Sequence, residues 1–237
     1  MTPRNMHKAL EMAQETVAEA ALPDERCTQM TYLSVHRRTT TTRRAHMNRI
    51  IRAQIAWLAA LAAGLLLAPV TARAEFADPS TGFAIRPPAG FTIQPTTRRQ
   101  FDVGVGVASA SGVPAAAGTS AFVCEAGFKA AATNNDLTMK EINAFVDKPE
   151  WRKLIRSTFE LVGTVTAERR FTQDGYRGIE LQVTPKMGPD AANVRLVVAM
   201  IETAKGRTTL LCNTTRSDIG KGLPQFRAIR ASMIFPK

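Results

Sequence analysis

Histidine is nearly missing from this chain. Its three copies, His7, His36 and His46, all fall within the first 46 residues. Whatever the remainder does, it does without imidazole, which removes Ser-His-Asp and Cys-His catalysis, histidine-ligated zinc and haem, and an imidazole pH switch. Cysteine is almost as scarce: Cys27 lies early, and only Cys124 and Cys212 follow, with no Cys-x-x-Cys spacing to support a catalytic thiol. Ser-x-x-Lys, Gly-x-Ser-x-Gly and a lysine-bearing phosphate loop are all absent. Carboxylates are scattered singly, so no local acid/base pair stands out. Asp190 and Asn193 near Gly188 carry oxygen ligands, but without the spacing of a calcium loop they read as a solvated turn. No catalytic, cofactor-binding or metal-ligating residue is assigned, and no cofactor is expected. A long hydrophobic run is lacking too. The longest, residues 53–68, is broken by Gln54 and Gly64 and falls short of the about 20 apolar residues that a membrane-spanning helix needs.

That run sits inside the most informative stretch, residues 47–74. Arg49 and Arg52 precede it, Pro69 ends it, and Ala72-Arg73-Ala74 closes it. The order is that of a secretory signal peptide, with a basic start, an apolar middle and a small-residue cleavage site. Cleavage is expected after Ala74, leaving residues 75–237 as the mature protein, periplasmic or secreted. An uncleaved inner-membrane anchor is the alternative. No cysteine lies near the cleavage point to accept a lipid. Upstream, residues 1–46 combine a helix-permissive segment (5–21) with a basic, threonine-rich one (37–44). They read as a disordered or mis-assigned leader, with Met47 as the functional start. A twin-arginine export signal is the minority alternative, because threonines rather than a hydrophobic pair follow Arg38.

Export explains the cysteine count. Two cysteines in an oxidising compartment read as a disulfide, Cys124–Cys212. Each shares a face with apolar neighbours at period two, Cys124 with Phe122 and Phe128, and Cys212 with Leu210. Their strands are therefore expected to be neighbours, within the about 7 Å that a bridge spans. The net charge is +11 overall and +6 in residues 75–237. This mild excess favours anionic neighbours such as an envelope component. It is too diffuse for nucleic acid, and export argues against that partner.

The mature chain reads as strands, then helices, then strands. Residues 101–108 alternate, with Phe101, Val103, Val105 and Val107 on one face and Gly104 and Gly106 on the other. The bare glycine face admits either a ligand or a tightly packed helix, the helix being the commoner cause. Residues 120–129 alternate in the same way. Thr138 and Glu141 form a capping box. Asp147 and Pro149 then mark a second helix start, followed by Trp151, Leu154, Ile155, Phe159 and Val162 at helical spacing. Two hairpins follow, 164–171 with 176–184 around an Asp-Gly turn, and 194–203 with 207–215; in 176–184, Ile179, Leu181 and Val183 face inward and Glu180, Gln182 and Thr184 outward. The strand 194–203 is apolar on both faces and so reads as central. Residues 223–231 close the chain as a helix with Pro224 in its first turn. The sum is a single α+β domain, a mainly antiparallel sheet with helices on its faces.

Two segments also carry a family resemblance. Gly82-Phe83-Ala84-Ile85-Arg86-Pro87-Pro88-Ala89-Gly90-Phe91 resembles the opening of PsbP/Mog1-like domains, and Phe226-Arg227-Ala228-Ile229-Arg230-Ala231-Ser232-Met233 resembles their closing helix. The resemblance implies an antiparallel sheet between helices, and a role in binding a partner, such as a photosystem or a small GTPase, rather than in catalysis. No residue role carries over, and the two cysteines lie outside the pattern.

One surface feature remains. Arg152, Lys153 and Arg156 lie on one side of the second helix, opposite its apolar stripe, and form the candidate binding face. Arg98-Arg99 and Arg169-Arg170 are further basic pairs. The ordinary alternative is a solvated helix surface. Two function classes follow: an exported, non-catalytic binding module for an anionic envelope component or a protein, and a small secreted hydrolase using carboxylates or a lone serine. A deep pocket lined by converging acids would favour the hydrolase.

Overall fold

A computed structural model of the chain describes residues 75–97 and 99–237. The expected leader, signal segment and Arg98 lie outside the described residues. Those described form a mixed α+β fold of two antiparallel sheets and three helices. The strands are β1 (Phe76–Ala77), β2 (Ala84–Ile85), β3 (Phe91–Thr96), β4 (Val103–Ser109), β5 (Cys124–Ala130), β6 (Gly163–Gln173), β7 (Tyr176–Pro185), β8 (Val194–Glu202), β9 (Gly206–Thr215) and β10 (Met233–Ile234). The helices are α1 (Met139–Val146), α2 (Pro149–Val162) and α3 (Ile219–Ala231).

The larger sheet has seven strands in the order β3-β4-β5-β9-β8-β7-β6, and the smaller one runs β1-β2-β10. In the smaller sheet Met233 faces Ile85, so the two segments that carry the family resemblance meet in space. The apolar-on-both-faces strand β8 is indeed interior, between β9 and β7.

The register of the large sheet sorts its residues onto two faces. One face carries Val105, Ala126, Leu210, Ala199 and Glu180 in a row; the other carries Gly127, Thr209, Met200 and Ile179. Helix α3 covers the first, over β8 and β9, and α1 and α2 cover the second over β6 and β7. Cys124 and Cys212 face each other directly across β5 and β9. Their bridge is formed, with Cα atoms 3.9 Å apart and both residues fully buried. The neighbouring strands expected from the apolar spacing are present.

Several expectations shift. Strand β4 begins at Val103, so Phe101 does not share its valine face. The Phe101 ring turns onto the opposite face, over Gly127 and Gly104, and the Phe122 ring lies over Gly106 in the same way. A Cβ on Gly127 would sit 2.3 Å from the Phe101 ring, and one on Gly106 2.5 Å from Phe122. The glycine floor therefore serves two aromatic rings rather than a ligand or a helix. Helix α3 starts at Ile219, four residues ahead of the expected point, so Pro224 lies inside it. Strand β7 is covered on both faces: Glu180, read as outward, is buried beneath α3.

Candidate anion-binding site

The loop joining α1 to α2 is the start of the site. Thr138 and Glu141 cap α1 reciprocally, and the backbone and hydroxyl of Thr138 hold the Glu141 carboxyl below its ordinary pKa. Pro149 opens α2 and excludes its predecessor from helical geometry. Lys148 is accordingly extended and becomes the N-cap, with no side-chain bond. Asp147, expected to cap α2, is thereby left at the corner. Its carboxylate turns to the strands and pairs with Arg177 and, at 3.8 Å, with Arg170.

Those arginines are placed by a hairpin. Asp174 and Gly175 form a two-residue turn with φ of 50° and 84°, the left-handed pair that a tight hairpin with correct twist requires. The register that follows sets Thr172 opposite Arg177 and Arg170 opposite Ile179. Arg170 and Arg177 thus sit on one face as diagonal neighbours, the arrangement that lets long side chains converge. Asn143 of α1 ties the turn to the helix: its amide donates to the Gly175 carbonyl, and its oxygen accepts from the Arg177 backbone N–H, both at 2.8 Å.

Between these elements lies a cleft of about 310 Å³ lined by Val146, Asp147, Trp151, Arg152, Arg170, Phe171, Thr172, Arg177, Gly178 and Ile179. Its lining carries three guanidiniums and one carboxylate. Trp151 and Ile179 are nearly fully buried, and the accessible surface of the cleft they help line is more apolar than polar. Trp151 is steadied by an edge-on contact with Phe145, ring centres 6.2 Å apart. The Arg152 Nε is buried and has no hydrogen-bond partner among the described residues. A second, more open groove of about 540 Å³ along α1 shares Asp147 and Arg177 with the cleft.

The structure divides the basic trio of α2. Arg152 reaches the cleft while pairing with Glu168 at 3.8 Å. Arg156 turns to Glu160 at 2.8 Å and to Glu168 at 3.8 Å. Lys153 is exposed on the outer side. The pair Arg169-Arg170 is split by strand alternation, Arg170 into the cleft and Arg169 onto the α3 face. Asp190 accepts from the Asn193 side chain at 3.0 Å within its turn. Tyr176 is buried edge-on to Phe235.

A separate charged group lies under α3 and was not anticipated. Arg227 grips Glu180 through two nitrogens, the closest contact being 2.6 Å, and Arg230 adds a bond of 3.0 Å. The Arg230 guanidinium also lies 3.8 Å from the Phe171 ring centre. The Glu180 bonds raise the Arg227 pKa; burial lowers that of Arg230 despite the same carboxylate. With both carboxylate oxygens accepting from α3, Glu180 clamps that helix to β7.

No protein-family model and no curated protein matches the chain. Among solved structures, it is similar to the solution structure of cyanobacterial PsbP (CyanoP) from Synechocystis sp. PCC 6803. The identity is 10% and the TM-score 0.44, over 68% of this chain and 91% of that one.

Proposed function

We propose that residues 75–237 form an exported, non-catalytic binding module that captures an anionic group of its ligand in the cleft between the α1–α2 corner and the β6–β7 hairpin. The observation that carries this reading is the imbalance in the lining, three guanidiniums against a single carboxylate around a space of about 310 Å³. Arginine presents a planar fork suited to carboxylate or phosphate, and helices and strands hold the three forks at low ordering cost. Export is supported by the buried Cys124–Cys212 bridge, a bond that persists outside the reducing cytoplasm. Among the described residues no helix is long and apolar enough to cross a membrane. The resemblance of residues 82–91 and 226–233 to PsbP/Mog1-like domains implies the same class of role. Carboxylate-based hydrolysis would call for two acids converging on a cavity, whereas the one acid in this lining is engaged by arginines.

The test is thermal unfolding with added phosphate or acetate at constant ionic strength. A ligand that binds only the folded state raises the midpoint with concentration. The wild type should shift and the Arg170→Gln/Arg177→Gln variant should not. Equal shifts in both would overturn the cleft as the recognition site.

A further inference from the structure

The identity of the group the cleft takes is written in what already fills its mouth. Resting on the reading above, we infer that Asp147 is an internal stand-in for the ligand's own carboxylate. The cleft then takes a small monocarboxylic acid with a compact apolar or aromatic group, and binds it by displacing Asp147 from Arg170 and Arg177.

Three observations converge on this. First, Asp147 demonstrates the fit: a carboxylate, held on a short side chain at a helix corner, already lies between the guanidiniums of two adjacent strands. Arg152 also lines the cleft, with a buried Nε that has no hydrogen-bond partner among the described residues, so its guanidinium adds a third cation that Asp147 does not pair. Second, the accessible surface of the cleft is more apolar than polar, although Val146, Trp151 and Ile179 contribute to it from largely buried positions. A ligand consisting of charge alone leaves this apolar surface uncovered. Third, the volume of about 310 Å³ lies at the small end of ligand pockets, which selects a compact acid over an extended chain.

Displacement is feasible because the Asp147 side chain caps no helix; the residue closes α1 through its backbone N–H alone, which donates to the Asn143 carbonyl. Lys148 is the N-cap of α2, so swinging the carboxylate away leaves α2 intact. The pair is also partly solvated, with side-chain exposures of 27% for Asp147 and 51% for Arg177. Pairs of that kind are worth up to about 1 kcal/mol. A self-occupied site lowers apparent affinity by the fraction of time it is open, and that energy corresponds to roughly fivefold.

Isothermal titration calorimetry with 3-phenylpropionate, 3-phenylpropionamide, acetate and inorganic phosphate tests the inference on wild type, Asp147→Asn, Arg170→Gln/Arg177→Gln and Glu160→Gln. Glu160→Gln is a control for net charge, since it removes an equal charge paired to Arg156 away from the cleft. The expected order is 3-phenylpropionate at least tenfold tighter than acetate, with the neutral amide not bound. Asp147→Asn should bind 3-phenylpropionate roughly fivefold tighter than wild type, and Glu160→Gln should match wild type. Arginine-dependent binding that Asp147→Asn leaves unchanged or weakens would overturn the stand-in and leave the anion-cleft reading in place. An equal gain in Glu160→Gln would do the same, since it reports net charge alone. Acetate or phosphate binding as tightly as 3-phenylpropionate would overturn the ligand class only. Absence of binding to both wild type and Asp147→Asn would overturn the cleft reading together with this inference.

Discussion

Breaking the Cys124–Cys212 bond should lower stability by an amount set mainly in the unfolded chain. The two residues are 88 positions apart, so the bridge closes more than half of residues 75–237 into one loop. In the chain-entropy model a loop of that length contributes ~4.6 kcal/mol at 25 °C, with measured values often smaller. The folded state gives little of it back on reduction, because the β5–β9 ladder runs from Cys124–Cys212 to Ala130–Gly206 on backbone bonds. Urea unfolding of the protein with and without a thiol reductant isolates the effect and keeps both side chains in place. A loss of about 2–4.6 kcal/mol is expected, with a smaller slope for the oxidised protein, whose unfolded state stays more compact. A loss under about 1 kcal/mol would refute the reasoning, and would mean that the unfolded chain is already constrained without the bridge.

Three further outcomes are expected. Glu180→Ala should destabilise by about 1.5–3 kcal/mol, because it removes the charge-assisted bonds from Arg227 and leaves the largely buried Arg230 without its carboxylate; a loss near zero by urea unfolding would remove the clamp from the account. Gly127→Ala should cost about 1–3 kcal/mol by driving a Cβ into the Phe101 ring, and most of that cost should vanish in a Phe101→Ala background; a double-mutant cycle showing additivity would contradict it. The Glu141 carboxyl is held below its ordinary pKa by Thr138, so its contribution is present above the ordinary glutamate range and disappears as pH falls through the lowered value. The midpoint difference between wild type and Glu141→Ala should therefore shrink on acidification, and a constant difference would exclude the capping box as its source.

Much of the fold was legible because its signals are local. The period of two in β5 and β9 put Cys124 and Cys212 on apolar faces, the Asp174-Gly175 dipeptide set the hairpin, and Thr138 with Glu141 began α1. The errors arise where a side chain leaves the face its spacing assigns. Phe101 and Phe122 lie just outside their strands and fold across to the glycines, a tertiary choice that alternation does not encode. Glu180 reads as solvent-facing because its strand alternates; only the arrival of Arg227 and Arg230, 47 and 50 residues later, makes burial tolerable. The cleft was half legible. Arg152 was singled out, and the hairpin register alone places Arg170 and Arg177 on one face. That α1 and α2 would bring Asp147 to meet them depends on packing between elements distant in sequence. Asp147 itself looked like a cap, since nothing local distinguishes a capping aspartate from one left at a proline-made corner.

The most direct test of the binding cleft is the arginine side-chain Nε–Hε NMR spectrum during titration with 3-phenylpropionate at constant pH and ionic strength. Saturable shifts concentrated on the Arg152, Arg170 and Arg177 signals are expected, with Arg227 and Arg230 unmoved beneath α3. Uniform, non-saturating drift of all exposed arginines, or shifts that leave these three in place, would contradict the account.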